Sequence, residues 1–294
     1  MAVEPTPASI RAGYLYGISA FVFWGAVPIY FKWLGHVPAF DVTAHRIIWS
    51  VPFLALIAYV GGQWRTLGAL LTVRRLLVLA AAAIAISSSW FIYIWAIAVD
   101  RLLEASLGYY IAPLMLAVFG MVFLKERPTS RQGIAIGLAA IGVGVLVFRF
   151  GAIPWVALGL AATQPAYTLV RKLAPADPVS GLLLETAMLS PLMIGILIWL
   201  GPESATATAD LWTWILLVVS GVVTALPMIW FIAAARRLPL VAVSLMQFIA
   251  PSLNFLLAVL LFGEAFTPTH MIAFGLIWTA LALHLVESTR KRPG

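Results

Sequence analysis

The amino-acid sequence predicts an all-α membrane protein of ten transmembrane helices, built as two inverted five-helix repeats with both termini cytoplasmic. Three observations carry this expectation. Hydrophobic residues make up 63% of the 294-residue chain and charged ones only 10%, with a mean hydropathy of +1.04, whereas soluble domains average about 45–50% and about 25%. Apolar stretches of spanning length recur along the chain, and Lys and Arg gather in alternate loops. So few charges cannot cover a water-facing globule, which excludes a cytosolic enzyme, a nucleic-acid binder and a disordered chain. The chain has no Cys, which removes disulfide scaffolds, thiolate metal sites and cysteine nucleophiles.

A spanning helix needs roughly 20 mostly apolar residues. The first such segment, 13–34, follows a polar, Pro-containing tail, Met1–Arg11, with no small-residue cleavage site, and reads as a retained helix. The turn Gly35–Phe40 leads to the second, 41–61, and the basic loop Gly62–Arg75 to the third, 76–98. Segment 103–124 ends at Lys125–Arg131, and 132–148 and 153–170 follow. Beyond Arg171–Pro178 come 179–200, the loop Gly201–Asp210, then 211–234, 240–262 and 270–287. Leu76–Ile86 and Ile134–Phe148 are apolar throughout, where barrel strands would alternate. Helices are expected.

With the N-terminus cytoplasmic, the inner loops and tails hold Arg11, Arg65, Arg74, Arg75, Lys125, Arg127, Arg131, Arg171, Lys172, Arg236, Arg237, Arg290, Lys291 and Arg292, fourteen of the eighteen basic residues. The outer side holds Lys32, Arg101 and Arg149, and Arg46 lies inside the second segment. This bias fixes both ends inside. It also accounts for the net charge of +7 without nucleic acid, because the basic residues are spread over small loops.

An offset of 138 superposes Ser106, Leu107, Ile111–Ala112–Pro113 and Glu126 on Ser244, Leu245, Ile249–Ala250–Pro251 and Glu264. Upstream, an offset of 140 places Lys32 on Lys172, His45 on Glu185 and Ser50 on Ser190. Residues 1–150 and 151–294 thus read as two copies of five helices. Five is odd, so the second copy enters the membrane from the opposite side. Inverted repeats recur in secondary transporters, with the substrate site near the midplane between the copies.

The strings H-R-I-I-W-S at 45–50, Y-I-W-A at 93–96, L-E-A-S-L-G-Y-Y-I-A-P at 103–113, L-K-E-R at 124–127, L-L-L-E-T at 182–186, A-A-A-R-R-L-P-L at 233–240 and Q-F-I-A-P at 247–251 resemble the RarD branch of the drug/metabolite transporter superfamily. That superfamily is built from two EamA-type repeats and includes the YddG-type amino-acid exporters. The resemblance extends over nearly the whole chain. It implies ten helices, cytoplasmic termini, a central cavity between the halves and export of small metabolites across the cell inner membrane.

An ionisable group in a spanning helix is costly and usually faces a cavity or a partner. His45 and Arg46 sit about one turn into the second segment, and Glu185 at the equivalent depth of the seventh. Two readings attach to them. Arg46 snorkels, His45 caps a loop and Glu185 pairs with a neighbouring Arg; or the three bind a zwitterion's charged groups or form gating pairs. Glu126 and Glu264, each followed by a turn with Pro and Thr, are expected to accept N–H bonds at the start of the following helix. Pro113 and Pro251 lie inside spanning segments at matching places in the two halves, and Pro28 and Pro165 at similar but not identical ones, as hinges beside a binding site or as packing features.

Polar groups in apolar segments complete the candidate cavity wall: Trp24, Tyr93, Tyr109, Gln164 and Gln247, with Glu185. Ser87, Ser88, Ser89 and Asn254 serve either helix bridging or substrate contact. Gly133 and Gly137, with Gly142 and Gly144, form a small-residue face for close packing, within a monomer or, alternatively, at a dimer. No phosphate loop G-x-x-x-x-G-K-[ST] supports an ATP-driven pump, and no H-E-x-x-H or paired aspartate supports a membrane enzyme. No cofactor or metal is expected. The function expected is secondary export by alternating access of small polar metabolites, amino acids above all, with efflux of chloramphenicol-like lipophiles as the alternative.

Overall fold

Short polar loops set where each helix begins. A computed structural model of the chain describes residues 6–98, 102–151, 153–260 and 268–290. Thr6 caps α1 (Pro7–Trp33) by accepting from the Ser9 N–H. Thr129 and Gln132 exchange side-chain and backbone bonds in a capping box that starts α6 (Ser130–Phe150). Asp177 accepts from the N–H groups of Val179 and Ser180 at the head of α8 (Pro178–Leu200), and Asp210 from that of Thr213 at the head of α10 (Leu211–Arg237). The remaining long helices are α2 (Ala39–Val60), α4 (Val73–Ala98), α5 (Leu102–Phe123), α7 (Trp155–Leu173) and α13 (Pro268–Arg290). No strand occurs among the described residues.

Within the described residues, each expected span is helical. Among the described residues, seven helical stretches are long and apolar enough to cross a membrane, Leu240–Leu257 counted as one, and the apolar stretches of α5 and α13 run over Leu107–Phe123 and Met271–Val286. The most polar of the ten, α7, carries Thr163, Gln164, Thr168, Arg171 and Lys172. Two loops hold more structure than the sequence suggests: α3 (Trp64–Leu70) in the basic loop, and a 3-10 turn (Gly201–Glu203) with α9 (Ala205–Thr208) before α10.

The ninth span is broken into α11 (Leu240–Gln247) and α12 (Ile249–Leu260). Pro251 explains the position of the break. It lacks the N–H that would bond the Gln247 carbonyl, and its ring crowds that same carbonyl. Pro113, in the matching motif, leaves α5 continuous.

Helix packing joins the two halves of the sequence. α1 packs along α10 and α12, α2 along α8 and α10, α5 along α7 and α11, and α6 along α13. The main core takes Phe21, Leu54 and Ala82 from the first half and Tyr167, Leu183, Phe231 and Met246 from the second. In a bilayer such contacts act through close van der Waals packing, since lipid tails are as apolar as Leu. The Tyr14 and His284 rings, 5.9 Å apart, bring the start of α1 and the end of α13 to one end of the bundle, here called the terminal end.

The small-residue face of α6 is rotated from the expected one. Ala135, Ala139, Gly142 and Val143 are buried, and Gly142 packs against the Ala273 carbonyl and Ile277 of α13. Gly133, Gly137 and Gly144 have open space beside them. Spacings of four and three residues select the alanine stripe, because those positions share one helix face.

Candidate functional site

The sequence-predicted site residues fall into four groups. The first surrounds Arg46, the eighth residue of α2 and so about 10 Å along it. Its Nε donates to Thr224 Oγ1 of α10 at 2.7 Å, and Thr224 sends its own hydroxyl proton to the Ser220 carbonyl at 2.8 Å. The guanidinium carbon lies 5.0 Å from the centroid of Phe31, a cation–π distance. The phenols of Tyr30, Tyr93 and Tyr109 lie within its electrostatic reach. Tyr93 and Tyr109 pack edge to face at 5.8 Å, and Tyr30 is fixed by donating to the Leu216 carbonyl. Side chains from five helices, α1, α2, α4, α5 and α10, therefore stand around Arg46.

His45 belongs to a second group at the opposite end from the termini. The Trp49 indole N–H donates to His45 Nδ1 at 3.2 Å, which assigns the proton to Nε2. Nε2 then donates to Thr206 Oγ1 at 2.8 Å. The Thr206 and Ser204 hydroxyls lie 2.8 Å apart, and Ser204 donates to Asp41 Oδ2 at 3.0 Å. The chain of bonds ties the start of α2 to the loop between α8 and α10. His36 extends it, 3.0 Å from Thr213 Oγ1.

Glu185 forms the third group. Its Oε1 lies 3.1 Å from Arg171 Nε, although not in hydrogen-bond alignment, and both side chains are at most 2% exposed. Tyr167 donates to Oε2 at 3.2 Å. Nearby, at the terminal end, Lys172 donates to the Ala235 carbonyl at 2.9 Å and to that of Leu238, and lies 3.9 Å from Glu126. Glu126 accepts from the N–H groups of Leu240 and Val241 at 2.8 and 3.0 Å. The carboxylate thus caps a helix, but the helix is α11 in the other half. Thr129 already occupies the cap of α6. Glu264 lies outside the described residues, as do Arg101, Lys291 and Arg292.

In the fourth group, Gln247 Nε2 donates to Gln164 Oε1 at 3.4 Å, joining α11 to α7. Trp24 stacks at a tilt against Phe21 and Phe231, 5.7 and 5.4 Å away. Pro28 and Pro165 stand inside the continuous helices α1 and α7. Pro52, Pro191 and Pro227 also stand inside continuous helices, three positions that sequence reasoning passed over. Thr224, Tyr30 and Phe31 were equally missed around Arg46, because no spacing in the chain ties them to it.

The two ends of the bundle differ. α2 packs along α10 over a long stretch, whereas α4 meets α8 over a much shorter one. Near the α2–α10 crossing Ser50 Oγ donates to the Gly221 carbonyl at 3.0 Å. A Cβ on Gly221 would lie 2.3 Å from the Trp49 carbonyl carbon. At the terminal end, a cavity of about 630 Å³ lies between α4 and α7, lined by Arg74, Arg75, Val78, Val170 and Leu173. A smaller one, about 240 Å³, sits beside Ile194, Gly201 and Thr206 at the other end. Arg46 is not among the lining residues of either.

Long apolar helices with ionic groups held among them define a multi-pass membrane protein. Residues 11–148 match the EamA-like transporter family. A Vibrio cholerae protein named as an uncharacterized transporter is 43% identical over 99% of this chain and 97% of its own length. Escherichia coli Protein RarD is 38% identical over 95% of each chain, and a Pseudomonas aeruginosa protein named Chloramphenicol-sensitive protein RarD is 35% identical, again over 95% of each. The chain belongs to the RarD branch of the EamA-type drug/metabolite transporters. A solved crystal structure shares the fold with a TM-score of 0.71 at 21% identity, over 95% of this chain and 99% of that one.

Proposed function

We propose that this transporter exports small polar metabolites, amino acids foremost, across the inner membrane by alternating access without ATP. Both termini are cytoplasmic in this reading, and residues 1–150 and 151–294 are inverted copies working as a monomer. The unequal packing of two helix pairs that the repeat makes equivalent carries the proposal. The offsets of 140 and 138 relate α2 to α8 and α10 to α4, yet α2–α10 is tightly closed and α4–α8 is not. An inverted repeat that interconverts two such packings opens one side as it closes the other.

The arrangement then corresponds to a state closed on the outside, with its access path on the terminal, cytoplasmic side. The central wall comprises Trp24, Arg46, Tyr93, Tyr109, Gln164 and Gln247. His45 and Glu185 hold the outer and inner ends. Pro28, Pro113, Pro165 and Pro251 supply the bending. Aromatic and amide groups with few charges suit a small zwitterion of variable side chain. A second reading, efflux of chloramphenicol-like amphiphiles, draws support from the name of the Pseudomonas aeruginosa relative.

Purified protein in liposomes, tested with a panel of labelled amino acids and with chloramphenicol, separates the two. Amino-acid counterflow above that of empty liposomes is expected. Movement of chloramphenicol alone reverses the order. Reporter fusions at Gly294 and in the Gly201–Asp210 loop test the orientation, with a periplasmic C-terminus overturning it.

A further inference from the structure

We propose that Arg46 is the substrate anchor and that it selects a monocarboxylate, so that the carboxylate, and not the α-ammonium, is the required feature of the cargo. This rests on the transport reading above and sharpens its substrate class.

The first observation is an uncompensated charge. No acidic side chain pairs with Arg46 among the described residues; its neighbours are Thr224, Phe31 and three tyrosines. A cation inside a spanning helix is normally paired, because its isolation from water is costly. Arg171, the other deeply placed arginine, obeys that rule through Glu185. Arg46 therefore has a charge for an incoming anion to neutralise.

The second observation is orientation. Nε is committed to Thr224 and one ring face to Phe31, which holds the guanidinium plane. Its two terminal nitrogens make no hydrogen bond among the described residues and are not fully enclosed. Side chains from α1, α2, α4, α5 and α10 stand around the group. Two parallel N–H donors on a fixed plane match a carboxylate bidentately. Tyr93 and Tyr109 add hydroxyls that make no hydrogen bond among the described residues, as donors to the same oxygens.

The third observation sets the charge. One unpaired guanidinium neutralises one negative charge, so a dianionic phosphate would leave a net charge in the membrane interior. Among the described residues, no carboxylate lies within the electrostatic reach of Arg46 to receive an ammonium. The α-amino group of a zwitterion would meet only aromatic faces and phenols. Removing it costs the substrate little.

The test uses the full chain in nanodiscs and reads ligand-dependent thermal stabilisation. The probes are the proteinogenic amino acids, their deaminated acids, their carboxamides and inorganic phosphate. The expected result is saturable stabilisation by at least one amino acid, retained by its deaminated acid and absent for its amide and for phosphate. Arg46→Gln should weaken the acid about thirtyfold or more, the scale for truncating one partner of a buried hydrogen-bonded charge pair. Arg46→Lys, which keeps the charge without the fork, and Thr224→Val, which frees Nε, should fall between; they decide the matter if Arg46→Gln does not fold.

The proposal is overturned if amides bind as well as acids, if no carboxylate stabilises the protein, or if phosphate does so through Arg46. It is overturned equally if Arg46→Gln or, failing its folding, both other variants leave carboxylate binding intact. Counterflow in liposomes keeps this separate from the transport reading. Cargo that moves equally with wild-type and Arg46→Gln protein removes the anchor and leaves the transporter, whereas no cargo moved by the wild type removes the transport reading itself.

Discussion

Glu126 Oε1 accepts the backbone N–H of Leu240 at 2.8 Å, so a carboxylate at the end of α5 caps a helix that begins 114 residues later. Gly120 makes the contact geometrically available. A Cβ there would lie 2.7 Å from Glu126 Oε2, and the bare glycine lets the carboxylate fold back beneath α5. Two N–H groups at the head of α11 are satisfied together with the positive end of its dipole.

Glu126→Ala should therefore lower thermal stability by about 1–2 kcal/mol, the scale of a lost N-cap. Glu126→Gln keeps one acceptor oxygen and should lose roughly half as much. Melting of the detergent-solubilised variants checks the order. Equal melting of all three proteins sinks the capping role.

Arg171 and Glu185 predict a non-additive pair. Removing one partner strands a charge among apolar groups, which costs about 3–5 kcal/mol, whereas replacing both by apolar residues of similar volume is often neutral. Arg171→Met and Glu185→Leu should each destabilise strongly, and the double variant should recover most of the loss. A double-mutant cycle from denaturation curves measures the coupling, and additive losses would refute it.

The fold was legible because hydropathy and loop charge are local properties of the chain, and each expected span became a helix. Partnerships were legible only in part. Arg171 reads as a basic loop residue, yet it forms the last turns of α7 and turns inward to Glu185. The offset that aligns His45 with Glu185 finds two polar positions at matching depth, but it says nothing of Thr206 or Arg171 as partners. Identical I-A-P motifs at Pro113 and Pro251 give one continuous helix and one broken one. Proline removes the same hydrogen bond in both, and packing against different neighbours decides whether the helix breaks.

Asp210 carries a pH prediction outside the spanning segments. Hydrogen bonds from the Thr213 side chain and backbone hold its carboxyl below the usual value of 3.8. A lowered folded pKa means that the charged cap stabilises above the unfolded value and that this contribution is lost as pH falls through the folded one. The melting difference between wild type and Asp210→Ala should be constant above about pH 5 and shrink below about pH 4. Asp210→Asn, a good cap without a titrating group, should show no such change. A gap that widens in acid contradicts the assignment.

Ser50 and Gly221 yield the prediction that bears most directly on alternating access. Ser50 Oγ lies 2.6 Å from the Arg46 carbonyl oxygen of its own helix and 3.0 Å from the Gly221 carbonyl oxygen of α10, and its one proton is shared between them. The helices meet so closely there that a methyl on Gly221 would overlap the Trp49–Ser50 peptide, with the Trp49 carbonyl oxygen only 2.6 Å away. Backbone cannot rotate aside as a side-chain tip does, so Gly221→Ala must separate α2 from α10 or strain both, at about 1–3 kcal/mol. If this crossing closes the outer side only in the present state, the cost falls on that state alone. The population shifts toward the alternative by the same free energy, about 5- to 150-fold. Single cysteines at Thr213 and Leu217, in this naturally cysteine-free chain, should then react faster with a membrane-impermeant maleimide from outside in the Gly221→Ala background. Cysteines at Arg74 and Val78, beside the terminal-end cavity, should react more slowly from inside. Reactivity that rises at both ends would mean general loosening of the bundle, and unchanged reactivity at both would mean that the α2–α10 crossing is no gate.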